Sequence, residues 1–220
     1  MAGTSVSKVV VTNSLTLDGV MQAPGRPDED SRGGFEHGGW AQPYVDAVMG
    51  EEMGKGMAQA PALLFGRRTY EDFASFWPNQ PAPNPFTEVL NNAQKFVAST
   101  TLGEPLPWMN STLLKGDAAE AVAGLKEELG KDIAILGSGE LVRSLMRRNL
   151  VDEYVLLIHP LVLGSGRRLF TDGGSFATFR LIDIKTTTTG VVIATYHPAE
   201  PTARRATRVA PAGTSRSKTT

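Results

Sequence analysis

IAILGSGELVRSLMRR, residues 133–148, reads as two elements joined by a glycine turn. Ile133–Leu136 is a short apolar run with β-branched residues, the pattern of a buried strand. The period then changes, and from Glu140 to Arg148 the residues Leu141, Leu145 and Met146 share one helical face. Gly137-Ser138-Gly139 is therefore a strand-to-helix junction. Glycine lets a backbone approach a ligand closely, and the first turn of the helix presents unpaired N–H groups and a partial positive charge. A phosphate would be stabilised there. By itself such a turn serves packing in many α/β proteins as readily as binding.

The same arrangement recurs upstream. Ala62–Phe65 is a strand candidate that runs into Gly66-Arg67-Arg68-Thr69 and then a helical Tyr70–Phe76. Cations at a helix start oppose its dipole, so an anionic partner explains the two arginines more economically than bare solvent does. Ser99-Thr100-Thr101 follows the strand Lys95–Ala98 and sets three hydroxyls at its end, a feature shared with ordinary turns. Three phosphate-compatible strand ends suit a dinucleotide carrying a pyrophosphate and a 2'-phosphate, which points to NADPH. Neither a GxGxxG fingerprint with a following acid nor GxxxxGK[ST] is present, so the Rossmann and P-loop classes are not supported.

The remaining segments complete an α/β pattern. Lys8–Leu15 reads as a buried strand, and Gln22–Gly39, dense in Gly, Pro and charge, as a long loop of the kind that covers a site. Val45–Met57 has helical spacing weakened by Gly50, Gly54 and Gly56. A proline-rich loop is expected over Pro78–Pro85 and a strand over Thr112–Leu114. Asp117 with Glu120 starts a helix that turns Val122, Leu125 and Leu129 inward. Tyr154–Ile158 is a further strand, and Phe179–Thr186 with Val191–Tyr196 forms a hairpin that adds antiparallel pairing at one end of the sheet. The prediction is a three-layer α/β/α domain over residues 1–198 with a mixed, mostly parallel central sheet and a C-terminal antiparallel hairpin. Residues 199–220 are expected to form a disordered basic tail.

Composition narrows the chemistry. The chain has 220 residues, 41% hydrophobic and 20% charged, enough for one core. It has no cysteine, which excludes disulfides, thiolate nucleophiles and cysteine-ligated metals, and no metal site is expected. The formal net charge is -1, yet five basic residues crowd the last 21 positions against Glu200, leaving the rest at about five negative charges net. Nucleic acid and membrane are accordingly not expected partners. No secretory pattern or long apolar run is seen, and a cytoplasmic location is expected.

Thr16-Leu17-Asp18-Gly19, Leu64 to Glu71, Ser99-Thr100-Thr101 and Ile135 to Leu141, in this order, resemble the dihydrofolate reductase-like superfamily. The branch they resemble is the riboflavin-biosynthesis (RibD) C-terminal reductase domain, here as a stand-alone member. Leu150 to Tyr154 and Pro160 to Gly166 strengthen the likeness, which spans about residues 6 to 197. The resemblance implies NADPH lying across the strand ends. Gly66, Arg67, Arg68 and Thr69 would hold pyrophosphate and the adenosine side, and Ser99, Thr100 and Thr101 the ribose 2'-phosphate. Leu136, Gly137, Ser138, Gly139, Glu140 and Leu141 would hold the pyrophosphate nearer the nicotinamide. Asn13, Ser14, Thr16 and Asp18 would lie beside the nicotinamide and substrate.

The expected activity is hydride transfer to a small heterocyclic or carbonyl-type substrate, pterin-like or ribosylaminopyrimidine-like. The alternative is a nucleotide-binding module that keeps the cradle without turnover. Asp18, Trp40 and Asp46 are the candidate catalytic residues. Asp18 precedes glycine and equally suits a turn, Trp40 equally suits a loop anchor, and Asp46 a surface acid. Asp18, Asp46 or a water would supply the proton. Members of that branch are often dimers, and the apolar run Val155–Val162 suits a shared edge or a central strand equally well.

Overall fold

The computed structural model describes residues 6–59 and 61–200, which run β1 (Val9–Thr16), α1 (Ala47–Ala58), β2 (Ala62–Gly66), α2 (Arg67–Phe76), α3 (Pro85–Asn92), β3 (Lys95–Ala98), β4 (Ser111–Leu114), α4 (Ala118–Glu128), β5 (Ile133–Leu136), α5 (Gly139–Arg147), β6 (Glu153–His159), β7 (Thr178–Thr186) and β8 (Val192–Ala199). The strands form one sheet in the order β4-β3-β2-β5-β1-β6-β8-β7. Pairings from β4 to β6 are parallel, and β8 runs antiparallel to both β6 and β7. Val155 and its neighbours thus lie in a central strand between β1 and β8, which accounts for that apolar run without a shared edge.

Alternation along the strands sorts the core into two faces. Val9, Val11, Ile133 and Ile135 pack with Val122 of α4 and with Leu141, Val142 and Leu145 of α5. Each such buried side chain contributes roughly 1.5–3 kcal/mol. Leu63, Phe65, Val97 and Leu136 look the other way, onto Met57 of α1, Tyr70 of α2 and Leu90 of α3. Helices on both faces make the expected three layers. Asp117 caps α4 through the N–H groups of Ala119 and Glu120, as its sequence suggested.

One helix departs from expectation. The proline-rich segment read as a loop through Pro85 instead turns into α3, with Pro85 in its first turn and Asn84 Oδ1 accepting from Thr87 N at 3.1 Å. An N-cap asparagine followed by proline is a helix start, because proline has no N–H to leave unpaired there.

The long loop after β1 has a small core of its own, in which Val20, Ala23, Phe35, Trp40 and Ala41 pack with Leu161 and Leu163. Gln22 ties it internally, donating to the carbonyls of Asp30 and Arg32 while its Oε1 accepts from Arg167 N. A Cβ on Gly166 would meet Phe35 and Val20 at 2.7 Å, so only glycine fits where the chain passes this cluster. The basic tail expected over residues 199–220 lies, from residue 201 on, outside the described residues.

Candidate active site

Parallel strands deliver their following turns to one edge of the sheet, and a crevice opens there. Gly66 is paired in register with Ala98, so the turns after β2 and β3 stand side by side, and β5 is the other neighbour of β2. A groove of about 870 Å³ runs along this edge, lined by Asn13 and Ser14 of β1, by Gly66 to Thr69 and by Leu136 to Leu141. The loop after β1 forms another wall, through Gln22 to Pro24 and Asp28 to Arg32.

Two distant junctions are sewn together here. Ser138 Oγ accepts from Gly66 N at 2.9 Å and donates to Thr69 Oγ1 at 2.9 Å, across about seventy residues of sequence. Because that hydroxyl is so engaged, it does not cap its own helix. Neither α2 nor α5 has a side-chain N-cap, so both helix starts keep backbone donors free at the groove. The turn that makes this possible is left-handed, with φ of 78° at Gly137 and 60° at Ser138.

Cations share this lining. Arg68 is exposed and makes no ion pair among the described residues, while Arg67 meets Glu71 at 3.3 Å. Arg143, Arg167 and Arg32 also line the groove; Arg143 pairs with Glu140, and Arg32 with Asp30. Asn13 lines it as well, buried, with its Nδ2 lacking any hydrogen-bond partner. A buried amide donor left unpaired costs roughly 1–3 kcal/mol, and a bound acceptor would relieve it. Free helix starts, guanidinium groups and an orphaned amide together fit an anionic dinucleotide with a carboxamide-bearing ring.

The remaining candidates stand apart from this lining. Ser99 shares the sheet edge but turns inward, its Oγ accepting from Thr101 N and Leu102 N, and Ser99, Thr100 and Thr101 do not line the groove. Thr16 is buried and donates to Asp18 Oδ1 at 2.5 Å while accepting from Val20 N. Asp18 further accepts from Leu163 N and Gly164 N, and meets Arg168 at 3.4 Å. The Thr16 hydroxyl, aided by those backbone donors, holds the Asp18 carboxyl down to about 2. It stays ionised and pins the segment 163–168 to the end of β1.

Trp40 is buried and donates its Nε1–H to Gln22 O at 2.7 Å, edge-on to His159. Asp46 caps α1 through Met49 N and accepts from the Thr188 hydroxyl and N–H. That hydroxyl keeps its pKa low. Neither Trp40 nor Asp46 lines the groove; Asp18 receives the N–H groups of Leu163 and Gly164, Trp40 ties the loop to Gln22, and Asp46 caps α1. His159 is buried, and desolvation lowers its pKa.

Sequence reasoning missed the opposite wall, made by Met49, Met53, Asp72, Phe73, Trp77 and Phe86. Only the amphipathic face of α2 carried a signal for it. It also missed Glu29, whose carboxyl lines the groove and whose pKa burial pushes up. Among the described residues, no cluster of His, Asp and Glu is arranged to hold a metal ion, and no helix is long and apolar enough to cross a membrane.

Known proteins resemble this chain in sequence and in fold. The Bacillus subtilis (strain 168) protein YyaP is 31% identical over 145 residues, 63% of this chain and 74% of its own. A Shewanella sp. PV-4 protein named for riboflavin biosynthesis shares the fold with a TM-score of 0.65 at 24% identity, covering 88% of this chain and 99% of that one. Dihydrofolate reductase from Enterococcus faecalis, complexed with NADP(H), superposes with a TM-score of 0.53 at 12% identity, covering 88% of this chain and 97% of that one. The match to the RibD C-terminal domain family spans residues 7–193, and this chain, with its dihydrofolate reductase-like α/β fold, belongs to that family.

Proposed function

We propose that this protein is an NADPH-dependent reductase that transfers a hydride to a small heterocyclic or carbonyl-type substrate. Family membership supports a reductase-type activity. The observation that carries the coenzyme reading is the pair of uncapped helix starts, joined by Ser138 and opening on one groove. The coenzyme, when bound, supplies the hydride. The protein's contribution is position, shielding and a proton.

The N–H groups at the starts of α2 and α5, with Arg67 and Arg68, would hold the pyrophosphate and adenosine phosphate. Ser99 to Thr101, one turn further along the same edge, would reach the 2'-phosphate ribose only after leaving their present turn. Asn13 Nδ2 would hold the carboxamide of the ring, with Ser14 beside it. The loop from Gln22 to Arg32 keeps water from this end. Asp18 is ionised and fully engaged and Asp46 faces Thr188, so the proton is assigned to Glu29. Burial raises its pKa, with Asp72 adding to the rise, against the N–H groups of Gly25 and Arg26 that donate to its Oε2.

Titration with NADPH and NADH, following the fluorescence of the reduced nicotinamide, tests the reading. Tight binding of NADPH, with NADH at least about tenfold weaker, is expected for a cradle built around an extra phosphate. Weak binding of both refutes it.

A further inference from the structure

The outermost strand, β7, turns its charged and its apolar residues to opposite sides, and the apolar side is the open one, the reverse of the usual pattern. Residues directly opposite one another in a sheet share a face. Leu181 stands opposite Tyr196, Tyr196 opposite Tyr154, and Tyr154 opposite Val11, while Ile184 stands opposite Ala194. Val11 and Tyr154 pack with α4 and α5, so Leu181 and Ile184 belong to that side of the sheet. Ile182 is the extra residue at the register shift between them, which keeps both on one side. Arg180, Asp183 and Lys185, the charged residues of β7, fall on the other side with His197, Thr195 and Ile193. There Lys185 Nζ meets Glu52 Oε2 of α1 at 2.6 Å, and Asp183 and Lys185 border a cavity of about 220 Å³ beneath that helix.

The charged side is thus covered by α1, and the apolar side has no such cover. Leu181 and Ile184 are 48% and 55% exposed, although α4 and α5 lie over the same face further in. Phe179 continues the surface, its ring 6.3 Å from Tyr196 and 6.1 Å from Phe170, itself 42% exposed. Phe176, just before the strand, is 75% exposed, and Ile182 44%. At roughly 200 Å² for a large side chain, the open parts of Phe170, Phe176, Leu181, Ile182 and Ile184 come to about 500 Å². A standard interface takes about 800 Å² from each partner, and in homodimers about two-thirds of it is apolar, which is much the same area.

We propose that this apolar face seats a second copy of the chain, the two sheets packing face to face about a two-fold axis. A two-fold contact sets a surface against itself, so a charged face would repel its own copy. On this side neither β7 nor β8 carries a charged residue. Residues 201–220 suit the face less well, with five basic side chains and Val209 as their one large aliphatic group. Pairing also backs the groove, because β7 holds α1 from its other side and α1 supplies Met49 and Met53 to the groove wall. The inference is independent of the coenzyme reading, since it uses none of the polar residues of the groove.

Sedimentation velocity of the full chain over about 1–100 µM tests this. A dimer is expected, and Ile184→Lys should weaken it at least about hundredfold, because the new charge meets apolar surface and its own copy. Leu181→Lys should do the same, and it takes the place of the first variant if circular dichroism shows that one unfolded. Val162→Lys, at an exposed apolar residue elsewhere, should leave the dimer intact. The chain has no cysteine, so a nitroxide on Ile184→Cys marks one position, and the two spins of a dimer should couple across the axis. A chain that stays monomeric throughout, a dimer that survives both lysine variants of β7, or one that Val162→Lys breaks as thoroughly overturns the inference. So does a dimer lost on removing residues 201–220.

Discussion

Ser138→Ala removes one oxygen and should loosen two junctions at once. The hydroxyl accepts from Gly66 N and donates to Thr69 Oγ1. Without it the half-buried Gly66 N–H loses its acceptor, at a cost near the lower part of the range of about 1–3 kcal/mol. For a chain of this size that lowers the midpoint of thermal unfolding by roughly 3–6 °C. Relaxation of the turn should also weaken NADPH about fivefold to tenfold, which is about 1–1.4 kcal/mol. Ser138→Gly separates the two effects. It loses the same bonds, but glycine relieves the φ of 60° that alanine would have to keep, worth roughly 1 kcal/mol. The glycine variant should therefore be the more stable of the two while binding NADPH as poorly as the alanine variant. Urea unfolding and coenzyme fluorescence measure both quantities. Wild-type stability and affinity in Ser138→Ala would refute the coupling, and a glycine variant no more stable than the alanine one would refute the strain.

Four further outcomes follow from the geometry. Arg68→Ala should weaken NADPH roughly tenfold, as expected for one charge-assisted contact, and leave unfolding within about 0.5 kcal/mol, both read from the same two titrations. Asp18 has its carboxyl lowered from 3.8 to about 2, so its contribution is present above pH 4 and lost as pH falls toward 2. Allowing for solvent screening, acid unfolding curves of Asp18→Asn should lack about 1–2 kcal/mol of that pH dependence. Trp40→Phe leaves the Gln22 carbonyl unpaired and should cost about 1–2 kcal/mol in urea with NADPH affinity retained, whereas a loss of affinity would return Trp40 to the binding surface. Glu29→Gln should lower kcat about a hundredfold or more and abolish the fall in kcat as pH rises through the carboxyl's pKa, with NADPH affinity unchanged; an unaltered kcat would remove Glu29 from the proton path.

Much of this protein is written locally. The change of period at Gly137 and at Gly66 announces strand-to-helix junctions, because alternation and helical spacing are properties of short windows. The Asp117 cap is legible for the same reason. Asn84-Pro85 carried an equally local signal, and α3 was missed because the prolines around it resembled a loop. Roles that depend on partners far along the chain were open in principle. Asp18 reads as a turn or a catalytic acid until Leu163 and Gly164 are seen to donate to it, and Trp40 as platform or anchor until Gln22 accepts its N–H.

The amino-acid sequence by itself determined the α/β class, the element order and the two glycine junctions, since each rests on neighbours within a few residues. Only the tertiary structure decided that Ser138 belongs to both junctions, that Glu29 and Asp72 wall the groove, and that a cavity lies beneath α1. Those facts arise where segments from about forty to over a hundred residues apart meet, and no spacing rule within one segment records such a meeting.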